Sequence, residues 1–82
     1  MNNFRTMNLN TENGRQIWNV EFIAELKKRG VAVDGVASGG RLAAVYTDRV
    51  IVFIGKRAHE VAVVAGAAPA DVAEQFVREV QP

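Results

Sequence analysis

The spacing of apolar residues divides the chain into a polar start, one helix, a run of strands and a second helix. Residues 1–14 are rich in Asn and hold few apolar side chains, which favours turns over regular structure. The pattern therefore predicts a flexible tail over residues 1–14, ahead of a single α+β domain over residues 15–82. Asn13-Gly14 is also a favoured hairpin turn pair, so an N-terminal hairpin is the alternative for the tail.

The first predicted helix has the clearest start and stop signals in the chain. Asn19 is a good N-cap, and Trp18 before it suits a hydrophobic staple. At the other end, Gly30 suits the left-handed position that follows a helix. These signals predict a helix over residues 20–29. Its predicted inward residues are Phe22, Ile23 and Leu26.

The segments after this helix are predicted to be strands, because β-branched residues are concentrated there between short polar breaks. Strands are predicted over residues 41–47, 49–54 and 60–65, joined by turns into an antiparallel meander. A further strand over residues 31–36 would make the sheet four-stranded.

The last segment, "PADVAEQFVREV", has apolar residues at helical spacing. Pro69 suits the first turn of a helix, and Asp71 complements the positive end of its dipole. The apolar stripe consists of Val72, Ala73, Phe76, Val77 and Val80. Together the elements predict the α+β class: a small two-layer sandwich in the order helix, antiparallel meander of three to four strands, helix.

The second predicted strand, "VIVFI", is apolar on both of its faces. Val50 and Val52 point one way while Ile51 and Phe53 point the other, whereas a sheet with one wet face alternates apolar and polar residues. The second face could be covered by the N-terminal tail, by a helix on each side of the sheet, or by another protein chain. The tail has few apolar residues, which favours a homodimer or a bound protein partner at Ile51 and Phe53.

Composition supports a folded domain and narrows its chemistry. The chain has 82 residues, of which 49% are hydrophobic and 23% charged, an ordinary balance for a globular protein. The absence of Cys excludes disulfides, thiol nucleophiles and thiolate zinc sites. No signal-peptide or membrane-span pattern occurs, so a cytoplasmic protein without a membrane partner is expected.

Charge offers one local feature. Ten Lys or Arg against nine Asp or Glu give a net charge of +1, which is too weak to direct the whole protein to nucleic acid. Basic residues nevertheless gather at the end of the first helix and in the second turn of the meander. These residues are Lys27, Lys28, Arg29, Lys56 and Arg57. If they meet in space, they form a basic rim that could hold phosphates or an acidic protein.

The sequence carries no catalytic, cofactor or metal motif. His59 is the only histidine and falls in a predicted turn, without a second ligand or base at a suitable spacing. Ser38 in "GVASGG" lacks the glycine spacing of a nucleophile elbow and the Lys-Ser/Thr ending of a phosphate loop. A non-enzymatic protein without a cofactor is therefore expected.

The predicted order over residues 19–81 resembles the topology of double-stranded RNA-binding domains and of HicA-type toxins. The first resemblance implies a lysine-rich start to the second helix, where this chain has "PADVAEQ", with Asp71 and Glu74 repelling phosphate. The second implies a Gly-Ser-His motif, where this chain has "ASGGRL". The function of neither family carries over to these residues.

In size the chain is similar to small inhibitors from phages and mobile elements, such as anti-CRISPR and immunity proteins, which mask a partner's surface. The leading hypothesis is therefore a small non-catalytic protein-binding module of this type, which forms a homodimer or binds another protein through Ile51 and Phe53. The alternative is a nucleic-acid-binding domain of αβββα type that uses the basic rim.

Overall fold

Two helices and one antiparallel sheet form the fold. The computed structural model describes residues 8–80. Within them, α1 spans Glu12–Lys28, β1 Ala43–Val45, β2 Arg49–Ile54, β3 Arg57–Ala62 and α2 Pro69–Val80. Residues Val36–Ser38 make a single 3₁₀ turn between α1 and β1. The predicted α+β class and the order helix, meander, helix are confirmed.

The strands lie in the order β1-β2-β3, so β2 is central. Ile54 pairs with Arg57, which leaves only Gly55 and Lys56 in the turn. Gly55 has φ +61°, as the first position of a two-residue type II′ turn requires. The prediction that β3 begins at residue 60 is wrong by three residues, because a two-residue turn reverses the chain sooner.

Helix α1 begins earlier than predicted. Its N-cap is Thr11, whose hydroxyl oxygen accepts a hydrogen bond from the Gly14 amide at 3.0 Å. The prediction of Asn19 as the N-cap is wrong, and so is the hairpin through Asn13-Gly14, since all three residues lie within α1. Residues 1–7, which make up half of the predicted tail, lie outside the described part of the chain.

The end of α1 has the predicted glycine cap. Gly30 has φ +79°, its amide donates to the Lys27 carbonyl at 3.0 Å, and the Val31 amide donates to the Leu26 carbonyl at 3.0 Å. This pair of bonds is a Schellman motif, which satisfies carbonyls that the helix leaves unpaired. The predicted helix end is therefore confirmed to within one residue.

The predicted strand over residues 31–36 is wrong, because this segment is an irregular loop fixed to the end of β2. The Asp34 and Gly35 amides both donate to the Phe53 carbonyl, at 3.3 and 3.2 Å. The Asp34 carboxylate accepts from the amides of Val36 and Gly55 at 3.0 Å. Two successive donors directed at one carbonyl cannot continue a strand ladder.

The core lies between the two helices and one face of the sheet. It consists chiefly of Trp18, Phe22 and Leu26 from α1, Val72, Ala73 and Phe76 from α2, and Val50, Val52 and Val61 from the sheet. The Trp18 and Phe22 rings stack with centroids 5.1 Å apart, and Trp18 Nε1 donates to the Ala67 carbonyl at 3.1 Å. Trp18 is only 1% exposed, so it is a core residue rather than a staple ahead of the helix. The predicted apolar stripe of α2 is confirmed.

Candidate protein-binding surface on the sheet

The sheet has a second face, directed away from both helices, which we call the outer face. Its residues are Ala44 on β1, Arg49, Ile51 and Phe53 on β2, and Ala58, Glu60 and Ala62 on β3. The register places Ile51 between Ala44 and Glu60, and Phe53 beside Ala58. Since α1 and α2 share one core with the opposite face, the alternative of a helix on each side of the sheet is wrong for the described residues.

Ile51 and Phe53 are the largest apolar side chains on the outer face. Both are partly exposed, and neither belongs to the core between the helices and the sheet. Exposed apolar residues extend the same face beyond the strands: Tyr46 is 41% exposed after β1, and Val64 is 75% exposed after β3. The predicted split of β2, with Val50 and Val52 inward and Ile51 outward, is confirmed.

Charges of both signs lie at one end of the outer face. The Arg49 guanidinium is 3.2 Å from the Asp48 carboxylate and 3.9 Å from that of Glu60. It also lies over the Tyr46 ring, 4.7 Å from the centroid. Exposed ion pairs of this kind add little stability, so these charges remain free to exchange partners at a contact.

The predicted basic residues are exposed, but acidic groups interrupt them. Lys27, Lys28 and Arg29 end α1, and Lys28 and Arg29 both pair with Glu25. Lys56 and Arg57 lie at the turn between β2 and β3. This turn is held by the Asp34 carboxylate through the Gly55 amide. Each of the two basic groups therefore lies beside an acidic side chain, Glu25 in one case and Asp34 in the other.

Two cations hold the pKa of Glu25 below its ordinary value of 4.5. Arg29 Nη1 donates to the carboxylate at 2.5 Å, which is the larger cause, and Lys28 Nζ donates at 3.0 Å. Because the pKa is lower in the folded than in the unfolded protein, ionised Glu25 stabilises the fold above the unfolded pKa. This stabilisation is lost as the pH falls through the lower, folded pKa.

We expect Glu25→Gln to lower the melting temperature near neutral pH, and the difference from the wild type to close as the pH falls below 4.5. Thermal melts across an acid-to-neutral pH series measure both effects. Glu21→Gln is the control, because Glu21 is exposed on the same helix and is in no ion pair within residues 8–80. Two melting curves that stay equally far apart at every pH would contradict the assignment.

The structure gives His59 and Ser38 structural roles. His59 lies within β3 rather than in a turn, and its ring packs edge-on against Phe76 with centroids 6.1 Å apart. The Ser38 hydroxyl, which has one hydrogen to donate, lies within hydrogen-bonding distance of the carbonyls of Gly35 and Arg41, which holds the loop ahead of β1. Within residues 8–80, no group of three or more His, Cys, Asp or Glu side chains is placed to bind a metal ion.

Two concave regions lie beside α1, and one of them reaches the border of the outer face at Ala44. A groove of about 290 Å³ runs between α1 and β1, beside Arg15, Asn19 and Arg41. A cavity of about 240 Å³ lies between Leu9, Trp18 and the loop before α2. The described residues that line these two regions include no His, Ser or Cys.

Sequence reasoning identified Ile51 and Phe53 but missed their neighbours on the outer face. Ala44, Arg49 and Glu60 join this surface because the strand register places them beside Ile51. The alternation of each strand gives the face on which a residue lies, but not which residues of another strand it meets. The missing signal was therefore the register.

No helix within residues 8–80 combines the length and the apolar content needed to cross a lipid bilayer. No protein-family model, curated protein or solved structure matches the chain. The outer face is therefore the basis for a functional proposal.

Proposed function

We propose that this protein is a non-catalytic protein-binding module and that its outer face is the surface that binds the partner. The observation that carries the proposal is the position of Ile51 and Phe53 on the central strand, with both helices packed on the opposite side. Ala44 and Ala58 beside them are small, so a partner can pack directly against the two larger side chains. Full burial of such a side chain is worth roughly 1.5–3 kcal/mol, and because Ile51 and Phe53 are already partly buried, a partner would gain a fraction of this for each.

The border of the outer face indicates the chemistry of the partner. Arg49 and Glu60 are 3.9 Å apart, a long contact that a partner's charges can replace. The partner surface should therefore offer an apolar patch with a carboxylate facing Arg49 and a cation facing Glu60. Such a module can act by masking its partner's surface, which needs no catalytic residue. Complementary charges at the edge would add selectivity to the apolar contact.

We expect Ile51→Lys to abolish capture of the partner. Lys is preferred to Asp here, because residue 51 lies opposite Glu60 and a like charge would destabilise the sheet itself. Tagged protein is incubated with lysate of its source cells, and the captured proteins are quantified by mass spectrometry. Circular dichroism confirms that the variant is folded.

Val20→Lys is the matched control, because Val20 is an apolar residue of α1 with 71% of its surface exposed. The same charge is thus added at another apolar surface site. A protein that is retained by the wild type and Val20→Lys but lost with Ile51→Lys supports the proposal. Equal retention by all three proteins would show that the outer face is not the binding surface.

A nucleic-acid partner for the basic rim is the second candidate, and it rests on five exposed cations at the end of α1 and the β2–β3 turn. The carboxylates of Glu25 and Asp34 lie beside these basic groups, which weakens this candidate. Phosphate binding falls steeply as salt rises, whereas apolar docking changes little. Capture that nuclease treatment removes, and that Lys56→Gln with Arg57→Gln weakens, would favour the rim over the outer face.

A further inference from the structure

Among residues 8–80, no strand pairs with the edge of β3 that faces away from β2. The Tyr46 amide donates to the Arg49 carbonyl, and the Phe53 amide donates to the Leu42 carbonyl, so the odd-numbered residues of β2 face β1. The even-numbered residues of β2 therefore face β3, where their partners are Val61, His59 and Arg57. It follows that Ala58, Glu60 and Ala62 direct their amides and carbonyls away from the sheet.

One of these groups is already occupied, and the others are accessible. Gln75 Nε2 donates to the Ala62 carbonyl at 3.3 Å. Within residues 8–80, no hydrogen bond satisfies the outward amides and carbonyls of Ala58 and Glu60. Both residues are exposed.

The edge of β3 has few of the features that prevent pairing with another strand. Monomeric proteins protect such edges with proline, bulges, lysine or covering segments. The register of β3 with β2 is unbroken from Arg57 to Ala62, so the strand has no bulge, and it contains no proline. Its outward backbone groups are flanked by two alanines and by a single carboxylate, that of Glu60.

We propose that a second copy of this chain pairs with this edge, so that the two β3 strands run antiparallel about a two-fold axis at His59. Ala58 then lies opposite Glu60 of the second copy, and Glu60 opposite its Ala58. Each opposed pair exchanges two backbone hydrogen bonds, so the contact forms four. The result is one continuous sheet of six strands, three from each copy.

The chemistry of β3 selects this register over its neighbours. Moving the axis to Glu60 would oppose two carboxylates and would require the Ala62 carbonyl, which Gln75 already occupies. Moving it to Ala58 would require the backbone of Lys56, which lies in the turn. A register that placed outward-facing residues of one copy opposite inward-facing residues of the other would form no backbone hydrogen bonds between the copies.

This dimer would place the two outer faces side by side, with all four helices on the other side of the sheet. The inference goes beyond the proposed function and does not rest on it, because the edge is formed by backbone groups of β3 whereas the outer face is formed by side chains.

A cysteine at the axis tests the register directly. In this dimer, residue 59 of one copy would face residue 59 of the other in a non-hydrogen-bonded pair. The two Cα atoms would be about 4.5 Å apart, a separation that permits a disulfide. The chain has no Cys, so any disulfide in His59→Cys must join two copies. Mild oxidation of dilute protein, followed by non-reducing electrophoresis, should give a covalent dimer at least ten times faster than in Arg57→Cys.

Arg57→Cys is the control because residue 57 would face residue 61 of the second copy and lie far from its own counterpart. Similar rates for the two variants, or a faster rate for Arg57→Cys, would overturn the register.

Sedimentation equilibrium over a concentration series tests the edge itself. Ala58→Pro removes an amide that points away from the sheet, so the fold should tolerate it, while two of the four hydrogen bonds between copies are lost. We expect the dimer dissociation constant to rise roughly tenfold or more. Circular dichroism checks the fold, and the cysteine experiment decides the question if this variant is unfolded.

Ile51→Lys separates this inference from the proposed function. A dimer that Ala58→Pro weakens and Ile51→Lys leaves intact supports pairing through the edge, even if partner capture fails. A dimer lost in Ile51→Lys and kept in Ala58→Pro would place the second copy on the outer face and overturn the inference. A wild type that stays monomeric throughout the concentration series would also overturn it.

Discussion

Phe22→Ala is expected to remove a large share of the protein's stability. Phe22 is fully buried and stacks on Trp18 with centroids 5.1 Å apart, in the centre of the layer between the helices and the sheet. Truncating a buried Phe costs about 3–5 kcal/mol, because the lost contacts leave a cavity that the surroundings fill only in part. A chain of 82 residues has a free energy of unfolding of roughly 4–12 kcal/mol, so the loss is a large share of the total.

Urea unfolding followed by tryptophan fluorescence measures this loss, since Trp18 is the only tryptophan and reports on the same layer. Val20→Ala is the control, because Val20 lies on the exposed side of the same helix, and a change within about 0.5 kcal/mol is expected there. Similar shifts in the urea midpoint for the two variants would mean that the assigned face of α1 is wrong.

Gly35→Ala is expected to destabilise the protein more than any other glycine-to-alanine change in the loop ahead of β1. Gly35 has φ +68°, which costs an L-residue roughly 1–2 kcal/mol. A Cβ atom there would also lie 2.7 Å from the Arg41 carbonyl oxygen, so backbone must move. The cost of displacing the backbone adds to the cost of the positive φ. We therefore expect the free energy of unfolding to fall by about 2 kcal/mol or more.

Gly30→Ala separates the two contributions. Gly30 has a similar φ of +79°, but a Cβ atom there would meet nothing within 4 Å. Gly30→Ala should therefore lower the free energy of unfolding only by the conformational strain, about 1 kcal/mol. The difference between the variants in urea unfolding then measures the steric contact at Gly35. If Gly30→Ala were the more damaging variant, the close approach of Arg41 to Gly35 would be refuted.

If Gly35→Ala behaves as expected, it should also disturb the outer face. The Gly35 amide donates to the Phe53 carbonyl at 3.2 Å, so the loop helps to fix the end of β2. Displacing this loop should weaken partner capture through Phe53, while Gly30→Ala leaves capture unchanged. This comparison would link the stability of the loop to the proposed binding surface.

The outer face and the β3 edge would work together in one assembly. A dimer paired through β3 would carry two outer faces on the same side of one sheet. A partner with two matching surfaces would then bind the second one intramolecularly, which raises the overall affinity without any new contact. Weakening the dimer with Ala58→Pro should lower affinity for such a partner, while affinity for a partner with one surface should not change.

Three features of the fold were predictable because their signals are local and unopposed. Alternation along β2 separates Val50 and Val52 from Ile51 and Phe53, since successive strand residues point to opposite faces. The α2 stripe repeats at helical spacing, and Pro69 marks its first turn. Gly30 also had one suitable role, as the left-handed residue that ends α1.

Two of the wrong predictions, the start of α1 and the start of β3, arose where two local signals compete. Both Thr11 and Asn19 are good N-caps, and the longer helix forms because it buries Trp18 in line with Phe22 and Leu26. The turn before β3 could have been longer, but Gly55 permits a two-residue reversal.

The sequence by itself determined the order of helix, antiparallel meander and helix, the two apolar faces of the central strand and the lack of thiol chemistry, because each follows from neighbouring residues or from composition. Only the tertiary structure decided that both helices cover the same face, that Arg49 and Glu60 border Ile51, and that no strand of residues 8–80 pairs with the outer edge of β3. These properties depend on register and layer order, which are set by contacts between residues far apart in the chain and leave no local pattern in the sequence.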